Sequence, residues 1–283
     1  MSIPTEEIYI GIRGDKFKYF IKQVLSLANI NEHFFNVLID EEGLKMYDRV
    51  FTHSSADSCN NYEYLEFLGD TTLNKSIAWY LTRRFDRFAC SDGVQALTRL
   101  KINLISKRSF AGFAKRLSFW EFVSASNETR GTQMDKTLED VFEAFFGATE
   151  VLIDDRIRRG AGYSVCYTLI SNILDTMEIS LRYEDLFDSK TRLKEVFDFF
   201  GPSKIGVLVY DTEKIDRIHK VKAIRRFQGT DTVLGEGSSS LKVDAQQKAA
   251  SLSFAKLDRI GFIKPDTKIM TMLKEYDLKS NKK

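Results

Sequence analysis

The sequence predicts an all-α domain followed by a small α+β domain of order α-β-β-β-α. Three observations carry this reading. Residues 14–180 repeat apolar side chains at three- and four-residue intervals, the spacing of one helix face, with no convincing alternating strand. Beyond residue 186, three strand-like runs lie between two helical stretches. Charge changes sign at the same place: residues 1–185 hold 22 Lys and Arg against 27 Asp and Glu, and residues 186–262 hold 14 against 10. The expected division is a helical domain at 1–185, an α+β domain at 186–262 and a frayed basic tail at 263–283. An acidic front and a basic back suit a catalytic part joined to one that holds a polyanion.

The elements follow in order. "KFKYFIKQVLSLA" sets Phe17, Phe20, Ile21, Val24 and Leu25 on one helix face. "EYLEFLGD", from Glu63, runs on through "DTTLNKSIAWYLTRRF" with Leu73, Ile77 and Leu81. "VQALTRLKINLISKRSFAGFAKRL" makes one or two helices. "TLEDVFEAFFGATEVLIDD" makes another, with Thr137 the expected N-cap and Asp140 in the capping-box position. "SVCYTLISNILDTM" closes the helical domain. The second domain opens with "KTRLKEVFDFFG", stopped by Gly201 and Pro202. The strands are "KIGVLVYDT", "HKVKAIRRF" and "TVLGEG", and the Ala-rich "KVDAQQKAASLSFAKL" is the final helix.

Hydrophobic content of 43% supports a sizeable core in each domain. Cys59, Cys90 and Cys166 are odd in number and form no C-x-x-C, which argues against a disulfide framework or a zinc ribbon. They suit a reducing intracellular compartment, cytoplasmic or nuclear rather than secretory. "MSIPTEEIYI" has no basic stretch leading an apolar run, so no signal peptide is expected. No apolar run approaches the roughly 18 residues of a membrane span, so no membrane partner is expected.

The acids raise the chemical question. Glu63, Glu66 and Asp70 form a stripe on one helix, and Asp140 and Glu143 form a pair on another. Gly69 and Gly147 sit beside them, where small residues let two helix backbones approach. If those helices pack, Glu66, Asp70, Asp140 and Glu143 converge. Acids so spaced commonly line a solvated face, but here Leu65, Phe67, Leu68, Phe142, Phe145 and Phe146 surround them in sequence. Converging carboxylates repel unless protonated or neutralised. Mg²⁺, a hard cation that prefers carboxylate oxygens, resolves the repulsion, with Mn²⁺ as a substitute. Two such ions about 4 Å apart would clamp the attacking and leaving oxygens of a phosphodiester.

These segments resemble a known family. "NYEYLEFLGDTTL" is similar to the ribonuclease III signature N-x-E-R-L-E-F-L-G-D-S-V-L. "VFTHSS", from Val50, resembles its A-[FL]-[TI]-H-x-S segment, and "DKTLEDVFEAFFGA" its second acidic motif x-x-x-x-A-D-x-F-E-A-x-x-G-A. The basic back end resembles a double-stranded-RNA-binding domain through "LGEGSSSLKVDAQQKAA". The resemblance implies a divalent-metal-dependent endoribonuclease that cuts double-stranded RNA. It implies 5′-phosphate and 3′-hydroxyl ends with short 3′ overhangs. Carried over by position, the catalytic and metal-holding acids fall on Glu66, Asp70, Asp140 and Glu143. Glu63 falls near the centre. Phe67 falls on the aromatic that members insert into a second subunit, which implies a homodimer. Asp92 matches an accessory acid loosely. Lys136, four before Asp140, matches the Dicer-like and fungal branch and points to a eukaryotic or viral lineage.

The departures are specific. Tyr64 stands for Arg, and Thr71-Thr72 for Ser-Val, beside the site rather than in it. In the RNA-binding domain, Glu195, His219 and Lys242 match, while Val243 and Gln246 replace two lysines of the phosphate-contacting cluster. Lys248 lies one turn away. Fewer phosphate contacts imply weaker binding and a shallower salt dependence. The alternative function is a non-catalytic double-stranded-RNA binder, disfavoured because all four acids are kept. A helical pyrophosphohydrolase with paired E-x-x-E acids is disfavoured by the attached α+β domain.

Overall fold

The computed structural model describes residues 7–280, with side chains to Tyr276. The opening "MSIPTE" and the closing "NKK", on which the signal-peptide expectation and the end of the basic tail rest, lie outside these residues. The chain forms two compact units that divide at Ile179/Ser180.

In the first unit the predicted face of α1 (Asp15–Ser26) is buried as expected at Phe17, Phe20, Ile21, Val24 and Leu25. Two short helices follow, α2 (Glu32–Ile39) and α3 (Glu41–Val50). Their starts are fixed by side-chain caps: Asn31 Oδ1 accepts from Phe34 N, and Asp40 Oδ1 from Gly43 N. Helix α4 (Glu63–Arg84) is continuous. The next predicted stretch resolves into α5 (Val94–Leu104) and α6 (Lys107–Arg116), parted where Ser106 Oγ caps α6. Then come α7 (Asn127–Thr132), α8 (Met134–Arg156) and α9 (Ala161–Asp175). A two-residue antiparallel pair joins β1 (Ile8–Tyr9) to β2 (Ala125–Ser126).

Thr137 is not the N-cap of α8. Met134, Asp135 and Lys136 extend the helix by a turn, and the Thr137 N–H donates to the Gln133 carbonyl inside it. The core is largely phenylalanine. Phe20 stacks on Phe122 at 3.9 Å, and Phe119 packs on Phe142 and Phe145 from α8.

Helices α4 and α8 cross where the glycines lie. A Cβ on Gly69 would sit 1.8 Å from the Glu143 carbonyl oxygen, and one on Gly147 would sit 2.1 Å from that of Leu65. The backbones touch at this crossing, so the acids one turn away on each helix are brought face to face. Gly69→Ala is therefore expected to destabilise the first unit by about 3 kcal/mol or more, beyond ordinary overpacking. Denaturant unfolding followed by tryptophan fluorescence checks this, because Trp79 and Trp120 both lie in that unit.

The second unit runs α10 (Tyr183–Leu186), α11 (Ser189–Phe200), β3 (Val207–Ile215), β4 (Ile218–Phe227), β5 (Thr230–Ser239), α12 (Lys242–Arg259) and α13 (Lys268–Ser280). The three strands form one antiparallel sheet in sequence order, giving the expected α-β-β-β-α core. Leu193, Phe197, Val221, Leu234, Ala249 and Leu257 fill the space between sheet and helices. The alanines of α12 are explained by Gly235 and Gly237, which let β5 ride against the carbonyls of Ala249 and Ala245.

Two expectations change. The unit begins earlier than residue 186, because the Tyr183 hydroxyl donates to Glu195 and its ring stacks on Phe187. The tail is not wholly frayed. Its described part contains α13, with Ile269 and Leu273 buried at helical spacing, and Lys264 pairs with Glu195 at 2.7 Å.

Candidate metal centre

The crossing of α4 and α8 gathers carboxylates. Ligand oxygens of Glu66, Asp140 and Glu143 all lie within 4.8 Å of one another. Asp140 is 4% exposed and Glu143 9%, far below what isolated acids tolerate. Asp140 is the best satisfied. Lys136 Nζ donates to both its oxygens, at 3.1 and 3.0 Å, and the buried Tyr62 hydroxyl donates to Oδ2 at 3.2 Å.

The other two acids carry the electrostatic cost. Burial, then the charge of Asp70 and the charges of Glu139, Glu66 and Asp140, push the Glu143 carboxyl up to about 8. Burial, then Asp140, push Glu66 up to about 7, with Lys136 opposing. Lys136 itself is held protonated, first by its hydrogen bond to Asp140. A site whose acids resist ionisation in this way is short of positive charge. The cluster offers only carboxylate oxygens, the donor set of a hard divalent cation.

Asp70 stands at the edge of this group. It is exposed, its Oδ1 accepts from Asn74 Nδ2 at 2.7 Å, and it acts on Glu143 through its charge. Glu63, one turn before Glu66, is exposed and acts on Glu66 in the same way. Asp92 is exposed in the turn before α5 and outside the three-carboxylate cluster. Phe67 projects from α4 with 72% of its surface exposed.

The family profile described as the Ribonuclease III domain matches residues 63–151. A putative ribonuclease 3 of Invertebrate iridescent virus 6 is 36% identical over 258 residues, covering 86% of this chain and 88% of that protein. The chain belongs to the ribonuclease III family. A putative ribonuclease 3 of Frog virus 3 (isolate Goorha) is 32% identical, and the alignment spans 84% of this chain and 62% of that protein. Ribonuclease 3 of Lactobacillus acidophilus is 30% identical, across 79% of this chain and 94% of that protein.

Three residues of this ribonuclease III centre escape a reading by sequence spacing. Tyr62 occupies the unspecified position of the signature, 78 residues from the Asp140 it contacts. His53 lies in "VFTHSS". Its Nδ1 accepts from the Ser55 N–H at 2.9 Å, and its ring meets Tyr62 edge-on at 5.6 Å. Burial lowers its proton affinity against the pull of Asp140 and Glu63. Glu139 stands where the second acidic motif has Ala. Burial and Asp140 raise its carboxyl, while Lys107 and Lys136 oppose. A strict comparison with the motif's Ala would have exposed Glu139.

The candidate RNA-contacting residues of this ribonuclease III chain are differently placed. Glu195 is engaged by Tyr183 at 2.5 Å and Lys264 at 2.7 Å. His219 lies in the β4 ladder opposite Lys214 and Ser239, after a two-residue hairpin turn in which Asp216 has φ 55°. Lys242 is exposed at the start of α12, and Lys248 donates to the Ser238 carbonyl at 3.1 Å. Gln246 accepts from Lys190 at 2.8 Å.

Proposed function

We propose that this endoribonuclease hydrolyses phosphodiester bonds in double-stranded RNA in a divalent-metal-dependent reaction, leaving 5′-phosphate and 3′-hydroxyl ends with short 3′ overhangs. The observation that supports it is the three-carboxylate cluster at the glycine crossing, in a chain of the ribonuclease III family. Glu66, Asp140 and Glu143, with Asp70 at the rim, hold Mg²⁺, for which Mn²⁺ substitutes. When bound, the ion supplies Lewis-acid polarisation of the phosphodiester and acidifies a water. Lys136 and Tyr62 fix the orientation of Asp140 by donating to its oxygens. Lys136 also brings positive charge beside the scissile phosphate. In the hydrolysis, oxygen from water bonds to phosphorus, the bond to the 3′ oxygen breaks, and that oxygen takes a proton.

Duplex RNA is recognised mostly by shape and by contacts to phosphates and 2′-hydroxyls. Glu195, His219, Lys242 and Lys248 are the candidate contacts of the second unit. A homodimer, with Phe67 inserted into the partner subunit, sets one centre on each strand. Three free thiols suit an intracellular site of action. Among the described residues, no helix is long and apolar enough to cross a membrane.

Long duplex RNA incubated with the full chain should yield short duplexes in Mg²⁺ or Mn²⁺, and end mapping should give 5′-phosphates. Binding without product under every divalent metal tested would overturn the reading in favour of a non-catalytic duplex binder.

A further inference from the structure

We propose that a groove between α4 and α9 binds a single-stranded segment of RNA, stacking bases on Trp79, Tyr163 and Tyr167 and holding phosphates with Lys75 and Arg83. These side chains and Ser164 line a cavity of about 430 Å³. Trp79 is 51% exposed, unusual for so large an apolar ring. The Arg83 guanidinium lies 5.5 Å from the Trp79 ring centroid and 5.1 Å from that of Tyr167, and its Nη1 donates to the Tyr167 hydroxyl at 3.3 Å. Lys75 Nζ lies 4.1 Å from the centroid of Tyr163.

The charge balance points to the occupant. Cations of this acidic unit divide: Arg49, Arg116 and Arg130 lie over rings, whereas Lys45 meets Glu41, Lys115 meets Asp135 and Arg156 meets Asp40. Among the described residues, Lys75 and Arg83 face rings instead, and no carboxylate pairs with them. Glu150 acts on Tyr163, but its carboxylate accepts from Thr72 Oγ1. A cation held over a ring is positioned without being neutralised, so both charges are left for an anion. The exposed Trp79 ring and the half-buried Tyr163 and Tyr167, beside unneutralised cations, suit a polyanion that also presents flat π surfaces. Unstacked bases do so, whereas a duplex hides its base faces inside the stack. The groove therefore takes a strand rather than a helix, and the ligand is a single-stranded tail or loop adjoining a duplex. It begins on α4 one to two turns beyond Asp70, about 7.5 Å along the axis.

The inference is tested without cleavage, so failure of the metal-centre reading does not touch it. The full chain is titrated with an unstructured 12-nucleotide oligouridylate in EDTA, and tryptophan fluorescence is followed. Saturable quenching is expected, and it should vanish in Trp79→Phe, which leaves only Trp120 as reporter. Trp79→Ala, titrated by fluorescence anisotropy of a 5′-labelled oligouridylate, should weaken binding roughly tenfold, the size of one lost stack. Lys75→Glu with Arg83→Glu should weaken it further and reduce the log–log salt slope by about 0.7 per lost phosphate contact. If that pair melts early, Lys75→Gln with Arg83→Gln carries the same test. No saturable quenching, or equal quenching and affinity in the charge variants, overturns the proposal. So does a change in oligomeric mass by light scattering with RNA affinity unaltered, which would make the groove an interface between copies of this chain.

Discussion

Replacing Glu143 by Gln is expected to lower cleavage of duplex RNA by about three orders of magnitude or more, the loss of several kcal/mol of ion-mediated stabilisation. The same substitution should raise the melting temperature of the metal-free protein near pH 8, where the Glu143 carboxyl loses its proton. Both follow from one fact. Glu143 is 9% exposed, packed with Glu66 and Asp140, and acted on by Asp70 and Glu139. A neutral amide of the same shape removes the repulsion and also removes the ligand oxygen's charge. Stability is gained where function is lost, as expected of a site kept for chemistry rather than folding. Duplex binding, measured in Ca²⁺ or EDTA, should stay at the parental level. A variant that cut at the parental rate would remove Glu143 from the centre. A variant that bound duplex poorly and melted early would show the substitution to be structural. Asp70→Asn should also abolish cleavage, with a smaller gain in stability because Asp70 is exposed and held by Asn74.

The acids themselves were legible in the sequence because a helix writes its faces at three- and four-residue spacing. Glu66 and Asp70, then Asp140 and Glu143, share a face within their own helices. Gly69 and Gly147 mark the crossing because nothing larger fits there. The α-β-β-β-α order was legible for the same reason, as a change of period beyond residue 186. What spacing does not encode is a contact made across the chain. Tyr62 reaches Asp140 over 78 residues, and no local pattern announces it. Thr137 has the chemistry of a cap, but Met134, Asp135 and Lys136 start α8 a turn before it, with the Asp135 carboxylate in the first turn. The charge on "KSNKK" hid a helix whose buried Ile269 and Leu273 precede it. The partners of Glu195, Tyr183 and Lys264, are likewise set by tertiary packing.

Stability of the metal-free protein should fall as pH rises from about 6.5 to 8.5, and Mg²⁺ should cancel most of that fall. Glu66 and Glu143 titrate near 7 and 8 in the folded chain against 4.5 when exposed to water. At the start of this window the unfolded chain has lost both protons while the folded chain still holds most of them, and by its end the folded chain has lost them too. The native state therefore binds more protons, and stability decreases with pH until both are gone. Their shared repulsion makes the loss about 2 kcal/mol across the window, or about 5 °C in melting temperature. His53 acts with the opposite sign. Its lowered affinity removes stability only as pH falls below its ordinary 6.5, outside this range. Mg²⁺ binds the folded chain alone, and at a hundredfold excess over its dissociation constant adds about 2.7 kcal/mol. Protons and the cation compete for the same oxygens, so the added stability should grow with pH. Thermal scans reading Trp79 and Trp120 fluorescence, with and without Mg²⁺ across the window, make the comparison. A melting temperature flat in pH, or a Mg²⁺ increment independent of pH, would mean that the acids at the α4–α8 crossing are not where the cation binds.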